Sequence, residues 1–193
     1  MSKPVRVVIA EDEAIIRLDL KEILEEEGYE VVGETGRGDE AVALVREHNP
    51  DIAILDIKMP GMDGLAAARE ITAERRAAVL ILTAFSQRNL IEEARDAGVL
   101  SYLVKPFQKA ELIPAIEVAL GRFQEMKALA AQASNLEEQL EIRKIVDRAK
   151  GHLMDKYGLS ENDAFSFIQK TAMRERKTMK EIARRILEGE LRP

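Results

Sequence analysis

The sequence predicts an α/β fold, a doubly wound five-stranded parallel sheet, followed by a helical linker and a small three-helix all-α domain. Three observations carry this. Apolar strand-like runs at Val5–Ala10, Val31–Val32, Ile52–Leu55, Val79–Leu82 and Tyr102–Val104 alternate with segments of helical period. The run Ile52–Leu55 has no polar alternation, as suits a central parallel strand covered on both faces. From Lys109 onward the pattern stays helical.

Taken in order, the strands are followed by helices at about Ala14–Glu27, Asp39–His48, Leu65–Glu74, Arg88–Ala97 and Lys109 onward. Strand then helix, repeated, implies right-handed crossovers with helices on both faces of the sheet. Strand one runs into Glu11-Asp12-Glu13, strand three ends at Asp56, strand four at Thr83, and strand five at Val104-Lys105-Pro106. Parallel strands share one C-terminal edge, where ligands bind in open α/β sheets, so these groups converge on one pocket. Ile57–Gly64 holds one Pro and two Gly and reads as a loop over that pocket. Gly36-Arg-Gly38 lacks a third glycine in place and reads as a loop, not a dinucleotide motif.

Beyond Lys109, Met126, Leu129, Ala133, Leu136 and Leu140 form an a/d seam of about two heptads, a helical linker with a partner helix. Pro114 either kinks this helix or resets its start. A new stripe begins after Leu140 with Ile142, Ile145/Val146, Ala149, Leu153 and Tyr157, closed by Gly158. Ser160 with Asp163 and Thr178 with Glu181 are capping-box starts. They precede helices whose apolar positions are Ala164, Phe165, Ile168, Ala172 and Met173, then Met179, Ile182/Ala183 and Ile186/Leu187. Phe165 is expected in the core. The expected domains are residues 1–123, a linker at 124–140 and a helical domain at 141–193.

The chain has 193 residues and no Cys, which excludes disulfides and thiolate metal sites. It has neither a signal-peptide pattern nor an apolar run long enough to span a bilayer, so a cytoplasmic protein without membrane contact is expected. Residues 141–193 hold 13 Lys and Arg against 9 Asp and Glu, whereas residues 1–140 hold 16 against 26. That asymmetry pairs a cation-binding half with a half suited to a polyanion. His48 and His152 accompany no nucleophile motif, which leaves no basis for a catalytic triad.

Glu11, Asp12 and Asp56, brought together, repel one another unless a cation sits among them. An incomplete set of oxygen ligands suits Mg²⁺, which keeps waters and shares its shell with phosphate. Asp12 and Asp56 are assigned as direct ligands, Glu11 as a ligand through water, and the Lys58 backbone carbonyl as a further oxygen. Asp56 is then placed to attack a phosphoryl group and become an acyl phosphate. Lys105 and Thr83 are placed to contact its oxygens.

Glu11-Asp12, Asp56, the loop Lys58–Gly64, Thr83-Ala84 and Tyr102-Leu-Val-Lys-Pro-Phe107 together resemble a bacterial response-regulator receiver domain over residues 4–123. The resemblance implies a flavodoxin-like receiver and phosphorylation of Asp56 by a histidine kinase. It also implies a Thr83/Tyr102 pair that rearranges, with Ala84 beside it, and a cis Lys105–Pro106 bond. A phosphoacceptor is expected rather than an enzyme, with at most self-phosphorylation from small donors and self-dephosphorylation. Glu11 stands where many receivers carry Asp.

At about 100° per residue, Lys144, Arg148 and Gly151 fall opposite the Ile142–Leu153 stripe, flanked by Arg143 and Lys150. A glycine on an exposed helix face costs about 1 kcal/mol against alanine. Either something approaches that backbone closely, such as a phosphate strand, or the face is ordinary solvated surface with a tolerated glycine. Arg148-Ala-Lys-Gly-His-Leu-Met154, Asp163-Ala-Phe165 and Thr171-Ala-Met173 resemble an ANTAR domain over residues 134–190. The whole chain is similar to actinobacterial phosphorylation-dependent antitermination regulators. This implies binding of paired RNA hairpins in nascent leader transcripts by a phosphorylation-promoted homodimer. Lys144, Arg148, Lys150, Arg174 and Lys177 would supply much of that binding, making it steeply salt-dependent. The alternatives are a DNA-binding output and a protein-interaction adaptor. Lys180–Leu187 resembles the first helix of a helix-turn-helix, but only six residues follow it for a recognition helix.

Overall fold

The computed structural model describes residues 3–84 and 88–193. Strands and helices alternate as β1 (Arg6–Ala10), α1 (Ala14–Glu26), β2 (Glu30–Thr35), α2 (Gly38–His48), β3 (Ile52–Asp56), α3 (Gly64–Ala73), β4 (Ala78–Thr83), α4 (Arg88–Asp96) and β5 (Ser101–Val104). Three helices follow: α5 (Lys109–Tyr157), α6 (Glu161–Glu175) and α7 (Met179–Leu187). The sheet order is β2-β1-β3-β4-β5, and every neighbouring pair is parallel.

Successive strand residues point to opposite faces, and both faces are covered. Val8, Ala10, Ala53, Leu55, Val79 and Ile81 pack with α2, α3 and α4. Val7, Ile9, Ile52, Ile54, Leu80 and Leu82 pack with α1 and the start of α5. Every residue of β3 and β4 is therefore buried, which is why their sequences carry no polar alternation. β2 extends beyond the expected Val31–Val32 to Glu30–Thr35. As an edge strand it tolerates polar residues, and its register with β1 shifts between Val7 and Val8, so that Val31 and Gly33 are paired while Val32 is skipped.

Across the change of apolar stripe near Leu140, α5 is one helix of 49 residues. The stretch Asn135–Ile142 is rich in Leu, Glu and Gln and contains no Gly or Pro, so a change of apolar phase does not break the backbone. Pro114 lies inside α5, and the helix continues across it.

Two compact units are formed, Met1–Ala128 and Leu129–Pro193. In the second, Val146, Ala149 and Leu153 of α5 pack with Ala164, Ile168 and Ala172 of α6 and with Ile182, Ala183 and Ile186 of α7. Phe165 and Met173 correct the expected core, being 41% and 74% exposed. The buried stripe of α6 runs Ala164, Ile168, Thr171, Ala172, and Phe167 rather than Phe165 packs beside it, because Phe165 lies one residue, about 100°, off Ala164. Thr178 and Glu181 form the full capping box of α7. At α6 only half of it forms. Ser160 accepts from the Asp163 amide, but the Asp163 carboxylate accepts from the Ser160 hydroxyl at 2.6 Å instead. Aspartate is one methylene shorter than glutamate and stays local. Gly158, at φ +69, follows α5 as expected, its amide donating to the Met154 carbonyl.

Candidate functional site

At the C-terminal edge of the sheet, β1 hands the chain to Glu11, β3 ends on Asp56, β4 ends on Thr83, and β5 leads into Lys105. Glu11 is fully buried, and Asp56 and Thr83 are 6% and 4% exposed. The Lys105 amide donates to the Thr83 carbonyl at 2.8 Å, which fixes the lysine beside β4. Its ammonium lies 2.5 Å from Glu11 Oε2 and 3.2 Å from Asp56 Oδ1. Asp12 is exposed at the mouth, and oxygens of Glu11, Asp12 and Asp56 lie within 4.8 Å of one another. The Lys105–Pro106 bond is cis. Ala84 is exposed directly after Thr83.

The loop after Asp56 returns tightly onto it. The Gly64 amide donates to the Ile57 carbonyl at 2.8 Å, and a Cβ on Gly64 would stand 1.8 Å from the Asp56 carbonyl oxygen. Gly38 has a similar role, since its Cβ would stand 2.1 Å from the Met62 carbonyl oxygen. These two glycines let the loop lie close over the carboxylate. Lys58, Met59 and Pro60 line an open cavity of about 670 Å³ together with Asp12.

Burial pushes the Asp56 carboxyl above the ordinary range, against the charge and hydrogen bond of Lys105, and Asp12 adds to the upward push. Glu11 is raised by burial too, again opposed by Lys105. For Lys105, burial works downward, but the hydrogen bond to Glu11 and the two carboxylate charges outweigh it and raise the ammonium. One ammonium therefore faces two buried carboxylates, with Asp12 beside them, and does not fully compensate them. Glu11 Oε2 is buried and is contacted only by that ammonium, at 2.5 Å, which leaves a carboxylate lone pair over. A buried oxygen with spare capacity and an all-oxygen donor set fit a hard divalent cation such as Mg²⁺.

Tyr102 is 46% exposed. Between it and Thr83 lies a cavity of about 10 Å³, lined also by Ile57, Ile81 and, from α4, Leu90 and Ala94. That space is too small for a phenol ring. A larger cavity of about 960 Å³ opens beside Arg46, Asp51 and Arg76 at the other edge of the sheet. Two of its guanidinium groups are engaged, Arg46 with Glu70 and Glu74, and Arg76 with Glu74.

In the second unit the basic residues differ in freedom. Arg143 and Lys144 are 82% and 70% exposed at the side chain, and their carboxylate partners Asp147 and Glu141 lie on the same helix. Lys150 is held by Asp147 at 2.9 Å and Glu161 at 2.8 Å and is only 16% exposed. Arg148 and Lys177 are exposed, and Arg174 is 70% exposed beside Glu175 at 3.8 Å. A Cβ on Gly151 would meet nothing within 4 Å, so no neighbour in the chain demands this glycine. Among the described residues no helix is long and apolar enough to cross a membrane.

A parallel sheet in the order 2-1-3-4-5, with an acidic cluster, a buried hydroxyl and a lysine at its C-terminal edge, defines a phosphoacceptor switch domain joined here to a helical output. Comparison with known families agrees. Residues 7–117 match the response regulator receiver domain and residues 134–187 match the ANTAR domain. The chain belongs to the response regulators with an ANTAR output, RNA-binding antitermination regulators rather than catalytic enzymes. It is 57% identical over 185 residues to the transcriptional regulatory protein PdtaR of Mycobacterium tuberculosis, spanning 96% of this chain and 90% of that one. The receiver part is 38% identical over 117 residues to the chemotaxis protein CheY of Bacillus subtilis, covering 60% of this chain and 98% of CheY. Among solved structures, the CheX-CheY-BeF3-Mg+2 complex from Borrelia burgdorferi matches with a TM-score of 0.56 at 28% identity, over 58% of this chain and 87% of that one.

Sequence reasoning brought Glu11, Asp12, Asp56 and Lys105 to one place, and the structure has them side by side, with Thr83 ending the neighbouring strand. It missed the exposure of Phe165. No count at helical period settles it, since Phe165 stands three residues from Ile168 and seven from Ala172, both buried, while Ala164 stands four and eight from them.

Proposed function

We propose that Asp56 accepts a phosphoryl group from a histidine kinase and that this controls the grip of the second unit on hairpins in nascent leader RNA, preventing a terminator from forming. The observation that carries the reading is the placement of a nearly buried Asp56 within reach of Lys105, Glu11 and Asp12. Asp56 attacks phosphorus through a carboxylate oxygen; the new O–P bond forms as the P–N bond to the kinase histidine breaks, leaving an acyl phosphate and a free imidazole. Asp12, Asp56 and the Lys58 carbonyl, with Glu11 behind them, would hold Mg²⁺, and the ion would supply positive charge to offset that of the phosphoryl oxygens. The magnesium and beryllofluoride in the Borrelia relative's complex support that choice of ion.

Lys105, already 3.2 Å from Asp56, pairs with a phosphate oxygen, and the Thr83 hydroxyl takes another. Withdrawal of Thr83 toward the phosphate and entry of the exposed Tyr102 ring require Leu90 and Ala94 to give way, so α4 shifts. Met126, Leu129, Leu136 and Leu140, all 49–65% exposed on one helix, then pair with a second copy. The basic residues Arg143, Lys144, Arg148, Lys150, Arg174 and Lys177 contact RNA phosphates, and Gly151 leaves room beside them.

The test uses full-length protein treated with acetyl phosphate and Mg²⁺. Wild type should gain a phosphoryl group by mass, sediment as a dimer, and retard a labelled two-hairpin leader RNA but not duplex DNA of equal length. Asp56→Asn should do none of the phosphorylation-dependent steps. Wild type that remains unmodified, or a variant modified equally, refutes the assignment of Asp56.

A further inference from the structure

Phe165 is the exposed aromatic side chain of α6. It is 41% exposed and is not among the residues that pack around Ile168 in the core. It lines a groove of about 400 Å³ within this unit. One wall is a continuous stripe of α5, Ile142, Arg143, Val146, Asp147 and Lys150, with Gln139 at its end; opposite stand Phe165 and Met179. That volume lies near the lower end of the roughly 300–1,000 Å³ of small-molecule pockets. It suits a flat ring rather than a folded peptide.

The charges in the groove choose its occupant. The Asp147 carboxylate holds Lys150 at 2.9 Å and lies 3.9 Å from Arg143, so cations and a carboxylate share one wall. A phosphate placed inside would meet that carboxylate. A nucleobase is not repelled by it, since its exocyclic amine or ring N–H can donate to Asp147 while its face lies on Phe165. Arg143, 82% exposed at the rim, is left for the flanking phosphate. Sequence-specific RNA recognition depends on unstacked loop bases laid on aromatic faces.

We infer that the groove between α5 and Phe165 takes one unstacked base of an RNA loop, stacked on Phe165 with its N–H edge toward Asp147. This rests on the RNA-binding reading of the second unit and adds to it the element that reads a base rather than a backbone.

The probe is the stem-loop RNA that the full-length wild-type protein enriches from a library with randomised loops. Abasic substitution at each loop position in turn should identify one position whose base is worth about ten- to a hundredfold in affinity. Phe165→Leu, which keeps apolar volume at an exposed position, should weaken binding by a similar factor, and the abasic penalty at that position should vanish in the variant. Phe165→Tyr should bind within about threefold of wild type, since it keeps the aromatic face. Far-ultraviolet circular dichroism of each variant confirms the fold. Binding by Phe165→Leu equal to wild type, or an abasic scan of wild type with no sensitive position, overturns the base pocket while leaving RNA binding intact. Phe165→Leu that loses the dimer but keeps RNA affinity makes the groove an interface between copies and overturns it too. If wild type enriches no RNA, both this inference and the reading beneath it fall.

Discussion

Lys105 is the residue on which the acidic cluster balances. Its ammonium spans Glu11 and Asp56, and both carboxyls are raised because burial outweighs what one cation returns to them. Removing one partner of a buried ion pair typically costs about 3 kcal/mol, because the remaining charge is stranded. Lys105→Met should therefore lose about that much stability in metal-free buffer. A divalent ion offers the stranded carboxylates a new partner, and at about 100 times its Kd a ligand adds about 2.7 kcal/mol. Urea denaturation with and without Mg²⁺ measures both numbers. A variant that responds to Mg²⁺ no more than to added Na⁺ would show that the carboxylates do not form the ion's site.

Single elements set how accurately those groups are placed. The turn from β3 into α3 works because Gly64 has no Cβ to meet the Asp56 carbonyl. Gly64→Ala forces the loop away and should cost about 2 kcal/mol, within the usual range for overpacking, together with slower phosphorylation of Asp56 by acetyl phosphate. Unchanged phosphorylation would mean the loop relaxes without disturbing the carboxylate. In the second unit, α7 begins at a full capping box, and the Thr178 amide and hydroxyl hold the Glu181 carboxyl below the usual carboxylate range. The unfolded chain binds that proton more readily. The contribution of Glu181 is thus present above the ordinary carboxylate value and is lost as pH falls through its lowered one. Glu181→Gln should flatten the acid limb of the stability profile, and Thr178→Ala should cost about 1 kcal/mol at neutral pH, both read from melts of the full chain.

For the whole molecule, the output depends on charge as well as on shape. Arg148 is exposed and has no ion-pair partner among the described residues, in contrast to Lys150, which is held by two carboxylates. Arg148→Ala should weaken RNA binding at all loop sequences alike and reduce the slope of log affinity against log salt by about 1, with Asp56 phosphorylation unchanged. Lys150→Ala should act less through phosphate and more through the Asp147 position it maintains. An unchanged salt slope for Arg148→Ala removes this face of α5 from the RNA contact.

The sequence alone determined the sheet, because residues buried on both faces must be apolar throughout. Ile52–Leu55 and Val79–Leu82 announce central strands without any neighbour being known. It also determined the acidic edge, since parallel strands end on one side, so that Glu11, Asp12, Asp56, Thr83 and Lys105 had to meet there. What lay at the edge of the sheet was less legible: β2 carries Glu30 and Glu34 among its apolar residues, and only its pairing with β1 marks its length. The continuity of α5 across Leu140 follows from its sequence, which holds no Gly or Pro there, whereas the outward turn of Phe165 was decided by tertiary structure. A shift in the phase of an apolar stripe costs the helix backbone nothing, so it does not mark an end. A phenylalanine beside an alanine on a helix is inward or outward according to which of them the neighbouring helices have room to cover.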